Sequence, residues 1–285
     1  MTPLTLPAPV YEFLGLFWEP MFLRRASLAL GLLTLAAAGA GVLVVNLRLA
    51  YFADAAGHTV FAGLALALIL NWPEKPVVLG VGAAAGVGVV YLTRHSRLKA
   101  DTAVGLVFSG VIALSLALVS RHSGAARGLS RFILGDILTV TDAEILALAG
   151  LALVSALFLT LFFNHLTLES LSPTLARTRR PRLSRFLPYL FGFWLALTAT
   201  VAVWSVGLLL VTALMVAPAA AGRAAASSAG GMFWVAQAVA AASGQLGLYI
   251  STRPEVNTAT GATVVLTAVL FFILLQVLAR AAPRL

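Results

Sequence analysis

Nine stretches of this chain are apolar and long enough, as helices, to cross a bilayer. They lie near 26–46, 54–72, 77–93, 103–120, 144–164, 186–206, 207–223, 230–250 and 261–280. A transmembrane helix needs roughly 20 mostly apolar residues, about 17–25, and lipid leaves no solvent for unpaired backbone groups. A chain built largely of such runs has one outlet. The expected fold is all-α: a polytopic helical membrane protein of eight or nine transmembrane segments, some short or broken, as one domain over residues 1–285. The stretch 186–223 is too long for one span and short for two, and Gly207 is the expected break.

Charge supports this. Only 10% of residues are charged and 61% are hydrophobic, whereas soluble domains run near a quarter charged. Disordered chains are poor in apolar residues, so disorder is excluded. The net charge of +9 sits in clusters between apolar runs and forms no continuous stripe, which argues against nucleic acid as a partner. With no cysteine, the chain holds no disulfide, iron–sulfur cluster or thiolate metal site.

The first residues contain Pro3, Pro7 and Pro9, then Tyr11, Phe13, Phe17 and Trp18. No positive charge precedes their apolar stretch, unlike a signal peptide. Residues 1–25 are therefore expected to lie along the membrane interface, where aromatic side chains concentrate. The longest polar interludes are about 121–143 and 165–185.

Cytoplasmic loops are enriched in Lys and Arg. Arg177, Arg179, Arg180, Arg182 and Arg185 place the 165–185 loop inside, as do Arg94, Arg97 and Lys99 for a second loop and Arg280 and Arg284 for the C-terminus. Arg24 and Arg25 also favour the cytoplasm, yet three spans separate them from Arg94. Either the N-terminal end is outside or one early segment does not fully cross. Small-residue stretches such as 80–86 and 217–226 favour a tightly packed bundle, and glycines with Pro218 permit broken helices.

Among ten acidic residues, Asp54 stands out because an apolar run follows it and His58 comes four positions later. On a helix, i and i+4 share a face. A carboxylate oxygen and an imidazole nitrogen suit a divalent zinc, manganese or iron ion, and ionisable groups at membrane depth usually mark a pathway. A capping Asp54 with a packed His58 is the structural alternative. Two ligands do not fill a tetrahedral shell, so a symmetry-related partner would be needed to reach four. His95 reads as a solvated loop group and His165 as a polar span terminus, while His122, opening a Gly- and Ser-rich interlude, faces either solvent or a vestibule. There is no P-loop and no H-E-x-x-H. The chain is not expected to be an enzyme, and uphill transport would need an external motor.

Five segments then fall in order. Residues 52–63, with Asp54 and His58, resemble "GDALSHAVLPG". Residues 99–109, from Lys99 through Asp101 and Thr102 to Ser109, resemble "KEDTAIGIVFS". Residues 134–141, with Asp136, are similar to "LFGDILAVS". Residues 207–220 are similar to "GVLLVSALLVIPAA", and residues 261–266 to "SGATIVL". Together they resemble the permease subunit of the ABC-type zinc, manganese and iron importers. The resemblance implies an importer of a divalent transition-metal ion in the cell membrane, with the metal as cargo and no permanent cofactor. It implies a homodimer beside a cytoplasmic ATP-binding subunit, fed by an extracytoplasmic metal-binding protein and embedded in membrane lipid. A secondary transporter or channel and a non-transporting membrane scaffold are the alternatives.

The resemblance assigns Asp54 and His58 to the metal path. It assigns the segment holding Ala176, Arg177, Arg179 and Arg180 to docking on the ATPase, where the family's "DPELARARG" is here Ser172 to Arg180 without its two acids and its glycine. Asp101 and Thr102 fit a helix N-cap, and Asp136 fits a turn. Gly57 and Ala62 replace the family's serine and proline, which implies a straighter helix behind His58.

Overall fold

The apolar runs become helices nearly end for end where the sequence places them. The structure, a computed structural model, describes residues 20–96, 100–120 and 135–281. The interfacial segment expected at 1–25 lies outside the described residues as far as 19, and residues 21–25 belong to the first helix. His122 is also outside them.

In chain order the helices are α1 (Met21–Asn46), α2 (Ala50–Leu70), α3 (Glu74–His95), α4 (Ala100–Val119), α5 (Asp142–Leu171), α6 (Pro173–Arg179), α7 (Pro181–Val206), α8 (Leu208–Ala225), α9 (Ala229–Ser251) and α10 (Thr260–Ala281). A 3₁₀ turn at Ile137–Thr139 precedes α5. Among the described residues there is no strand. Among the described residues six helices are long and apolar enough to cross a membrane: α1, α3, α5, α7, α8 and α10. The other long helices, α2, α4 and α9, run 21, 20 and 23 residues within the same bundle.

Local chemistry sets the ends. Asn71 stops α2 in the left-handed region at φ 53°, a conformation asparagine tolerates better than most residues. Thr141 and Glu144 form a reciprocal capping box at the start of α5, which the spacing T-x-x-E encodes. Glu74 opens α3 and Arg94 and His95 close it, matching the helix dipole at both ends. Pro218 lies inside α8 without ending it.

α1 is the central helix and packs against α5, α8 and α9. Residues 36–44 are all buried. Small side chains make that possible: a Cβ on Gly41 would fall 1.8 Å from the Met215 carbonyl oxygen of α8, and one on Gly39 would fall 2.5 Å from Leu159 of α5. Such close approach is how helices gain contact energy in lipid, where no hydrophobic force separates them from the solvent. A second group, α2, α3, α4 and α7, packs beside the first. Leu146, Leu153, Leu157 and Leu161 of α5 and Leu266, Leu270 and Leu274 of α10 form exposed apolar ridges, as a lipid-facing surface requires.

One ion pair fixes the end of the bundle at which α1 starts. Arg25 near the start of α1 donates to Asp142 Oδ2 at 2.7 Å, at the start of α5. The opposite end of α5 leads into the basic helix α6. Arg24 and Arg25 therefore lie at the end of the bundle away from the basic segment.

Residues 165–185 are helical, not an extended loop. α5 continues to Leu171, Ser172 caps α6 through a hydrogen bond to the Leu175 N–H, and prolines occupy the first position of both α6 and α7. Ser-Pro and Arg-Pro are start signals rather than loop signals here.

Candidate metal path

α2 stands between α3, α4 and α7. Its first two and a half turns carry Asp54 and His58 on one face, as the four-residue spacing requires. His58 Nε2 lies 3.8 Å from Asp54 Oδ1, with side-chain exposures of 22% and 45%. That is beyond hydrogen-bond reach, so the two groups are neighbours with a gap between them. The His58 ring meets the edges or faces of Phe61 at 5.4 Å and Phe108 of α4 at 5.0 Å, both near-perpendicular. Aromatic walls therefore fix the imidazole while the carboxylate stays open. Among the described residues no cluster of three or more metal-ligating side chains exists.

α2 runs unbroken through Ala62, which is buried, as expected where proline is absent. Gly57, three positions after Asp54, packs against the bundle beside the pair. A Cβ there would lie 2.3 Å from Leu208 and 3.2 Å from Val203. This brings the pair's helix directly against the break between α7 and α8.

Gly207 makes that break with φ 94° and ψ 157°, a region open to glycine alone. The segment carrying Asp136 packs on it. Gly135, at φ +58°, has no room for a side chain: its Cβ would fall 2.1 Å from the Val206 carbonyl oxygen. Asp136 Oδ1 accepts the Leu138 N–H at 3.0 Å and caps the 3₁₀ turn. Its role in the geometry is a turn at the helix break. α4 is described from Ala100, so Asp101 and Thr102 lie at its described start, and residues 97–99 before it are outside the described residues. An acid at that start faces the positive helix end. The Asp101 side chain lies outside the described residues, and Thr102 is exposed.

The basic segment divides by burial. Ala176 is fully buried, seating α6 against α5 and α7. Arg177, Arg179 and Arg180 are exposed, giving a short helix with a cationic outer surface. Beneath it is a group that sequence reasoning missed. Arg94 Nη2 at the end of α3 donates to Glu169 Oε1 of α5 at 3.1 Å and to the Ser184 carbonyl of α7 at 3.2 Å. His165 Nε2 pairs with Ser184 Oγ at 3.0 Å. Glu169 is the only acid within residues 165–185, a signal that was available. His95 lies on the surface, its Nδ1 3.1 Å from the Tyr91 carbonyl.

The ABC 3 transport family matches residues 19–279. The manganese import system permease protein ScaB of Streptococcus gordonii is 30% identical over 264 residues, 93% of this chain and 94% of that protein. The manganese transport system membrane protein MntC of Listeria monocytogenes is 28% identical over 262 residues, 91% of each chain. The solved structure of PsaBC from Streptococcus pneumoniae in complex with Fab superposes with a TM-score of 0.78 at 28% identity, covering 93% of this chain and 95% of that one. An all-helical bundle with a broken α7–α8 pair, matched along nearly its whole length, is thus accounted for by one ancestry: the chain is a multi-pass membrane protein of the ABC 3 transport family, a permease subunit and not an enzyme.

Proposed function

We propose that this chain is the membrane subunit of an ATP-driven manganese importer, with Asp54 and His58 as ligands on the translocation path. The observation that carries the reading is the Asp54–His58 pair, held on one face of α2 with a 3.8 Å gap. That gap is shorter than two metal–ligand bonds of about 2.1 Å laid end to end, so one ion reaches both groups. An oxygen and a nitrogen ligand admit manganese, zinc and iron alike. The manganese transport named for ScaB and MntC favours manganese among them.

Two ligands per chain hold an ion weakly enough to release it, which a conduction path needs. A second copy contributing the same pair completes four protein ligands, and this supports a homodimer. The exposed Arg177, Arg179 and Arg180, seated by Ala176, suit docking on carboxylates of a cytoplasmic ATPase, since guanidinium pairs with carboxylate in a bidentate fork. An extracytoplasmic metal-binding protein would deliver the ion from the face that carries Arg25 and Asp142.

The test is radiometal uptake in a strain lacking this gene, complemented with the wild type, Asp54→Ala or His58→Ala. Wild type should restore manganese uptake and both variants should not, at equal membrane abundance. Normal uptake in both variants would remove the pair from the path. Restoration of zinc or iron uptake alone would reassign the cargo.

A further inference from the structure

Between the cytoplasmic ends of α3 and α7 an open cleft of about 640 Å³ is lined by Arg94, His95, Arg185, Phe186 and Tyr189. Its height is set by its neighbours. The last turn of α3 and the first turns of α7 flank the basic helix α6, so the cleft sits where the cytoplasmic headgroups of the bilayer lie.

The charge of the cleft is not internally balanced. Arg94 is compensated by Glu169. Arg185 makes no hydrogen bond or ion pair among the described residues and is exposed. His95 stacks on Tyr91 at 4.4 Å, and its Nδ1–H donates to the Tyr91 carbonyl. The ring is thereby fixed and Nε2 is left for another partner. Among the described residues no carboxylate lines the cleft.

Below these groups the surface turns apolar. On α7, Phe186 is 70% exposed, Leu190 44% and Phe193 42%, at spacings of four and three that keep them on one face. On α3, Val87 and Tyr91 continue the line that ends at His95. An uncompensated arginine at headgroup depth above two apolar ridges matches one class of molecule. Basic pockets between helices on the cytoplasmic side take anionic lipid headgroups.

We propose that this cleft binds an anionic glycerophospholipid of the cytoplasmic leaflet, its phosphate on Arg185 and one acyl chain along Phe186, Leu190 and Phe193. The site is separate from the metal path. It places a lipid beside the Arg94–Glu169 pair, where the basic helix meets the bundle.

Native mass spectrometry of the full chain in detergent tests it, with phosphatidylglycerol and phosphatidylcholine of identical chains as probes. The wild type should retain phosphatidylglycerol over phosphatidylcholine. Arg185→Ala should weaken that retention about fivefold, the effect of one surface arginine on an anionic lipid, and Arg185→Lys should keep most of it. Leu190→Gln should weaken long-chain phosphatidylglycerol and leave a short-chain homologue unchanged. Equal retention of the two lipids, or no change in Arg185→Ala, would overturn the site. Displacement of the lipid by millimolar inorganic phosphate would show a free-anion site instead and would overturn the lipid assignment.

Discussion

Arg94 and Glu169 pair at 3.1 Å across the C-terminal ends of α3 and α5, with only 26% and 11% of their side chains exposed. The pair joins α3, a direct neighbour of α2 with its Asp54 and His58, to the helix that runs into basic α6. Glu169 Oε2 is buried without a hydrogen bond among the described residues, so the interaction rests on one oxygen. Removing one partner of such a pair leaves an uncompensated charge, whose cost exceeds the net worth of the pair.

Glu169→Ala should therefore destabilise the protein by about 3 kcal/mol, read as a lowered melting temperature in detergent. The double variant Arg94→Ala/Glu169→Ala should recover part of that loss, because no lone charge remains. A double variant no more stable than the single would show that the pair does not act as a unit.

The metal path predicts a charge requirement distinct from shape. Asp54→Asn keeps the side-chain outline and removes the anion, and should lower manganese uptake about 10–100-fold, the scale on which weakened ligation is felt. Asp54→Glu should retain more activity than Asp54→Asn. Radiometal uptake at matched expression decides the order.

Crossing parity can be probed cleanly because the chain has no cysteine. Arg24→Cys should react with a membrane-impermeant maleimide in intact cells. Arg179→Cys should react only in inverted vesicles. Labelling of both from the same side would contradict the position of Arg25 against Asp142.

The glycines divide into two kinds with opposite expected signs. Gly135→Ala places a side chain 2.1 Å from a carbonyl oxygen at φ +58°, and should cost more than the 1–3 kcal/mol typical of backbone strain alone. Gly80, in α3, has nothing within 4 Å of its Cβ position. Gly80→Ala should stabilise by up to about 1 kcal/mol through helix propensity. Thermal melts of the two variants separate packing from propensity.

The basic helix predicts a docking loss. Arg177→Glu, Arg179→Glu and Arg180→Glu together should abolish co-purification with the ATPase while Ala176 keeps α6 seated. Ala176→Leu should instead disturb α6 itself, since that position is fully buried, and lower stability as well as docking.

Helix positions were legible because hydrophobic length is a strong and local signal in a membrane chain. The break at Gly207 was legible for the same reason: the run around it is the wrong length for one span or two. That Asp54 and His58 share one face of α2 was legible from their four-residue spacing. Three things were not. Arg25 pairs with an acid 117 positions away, and local charge statistics carry no information on such a partner. The segment 165–185 looked polar, yet its serine and prolines start helices. Glu169 was hidden because its meaning depends on Arg94, brought beside it only by packing of α3 on α7 and α7 on α5.

The seam between Gly135 and Gly207 is made of main chain on both sides, one backbone pressed on another with Val206 oxygen at the contact. Such a seam has no side chain to swap, trim or repack. Compensating mutations, the usual route by which a damaged contact is repaired, have nothing to act on there. The positions with the fewest atoms are thus the ones for which this protein has no substitute, and random mutagenesis screened for uptake should recover revertants at Gly135 only as glycine.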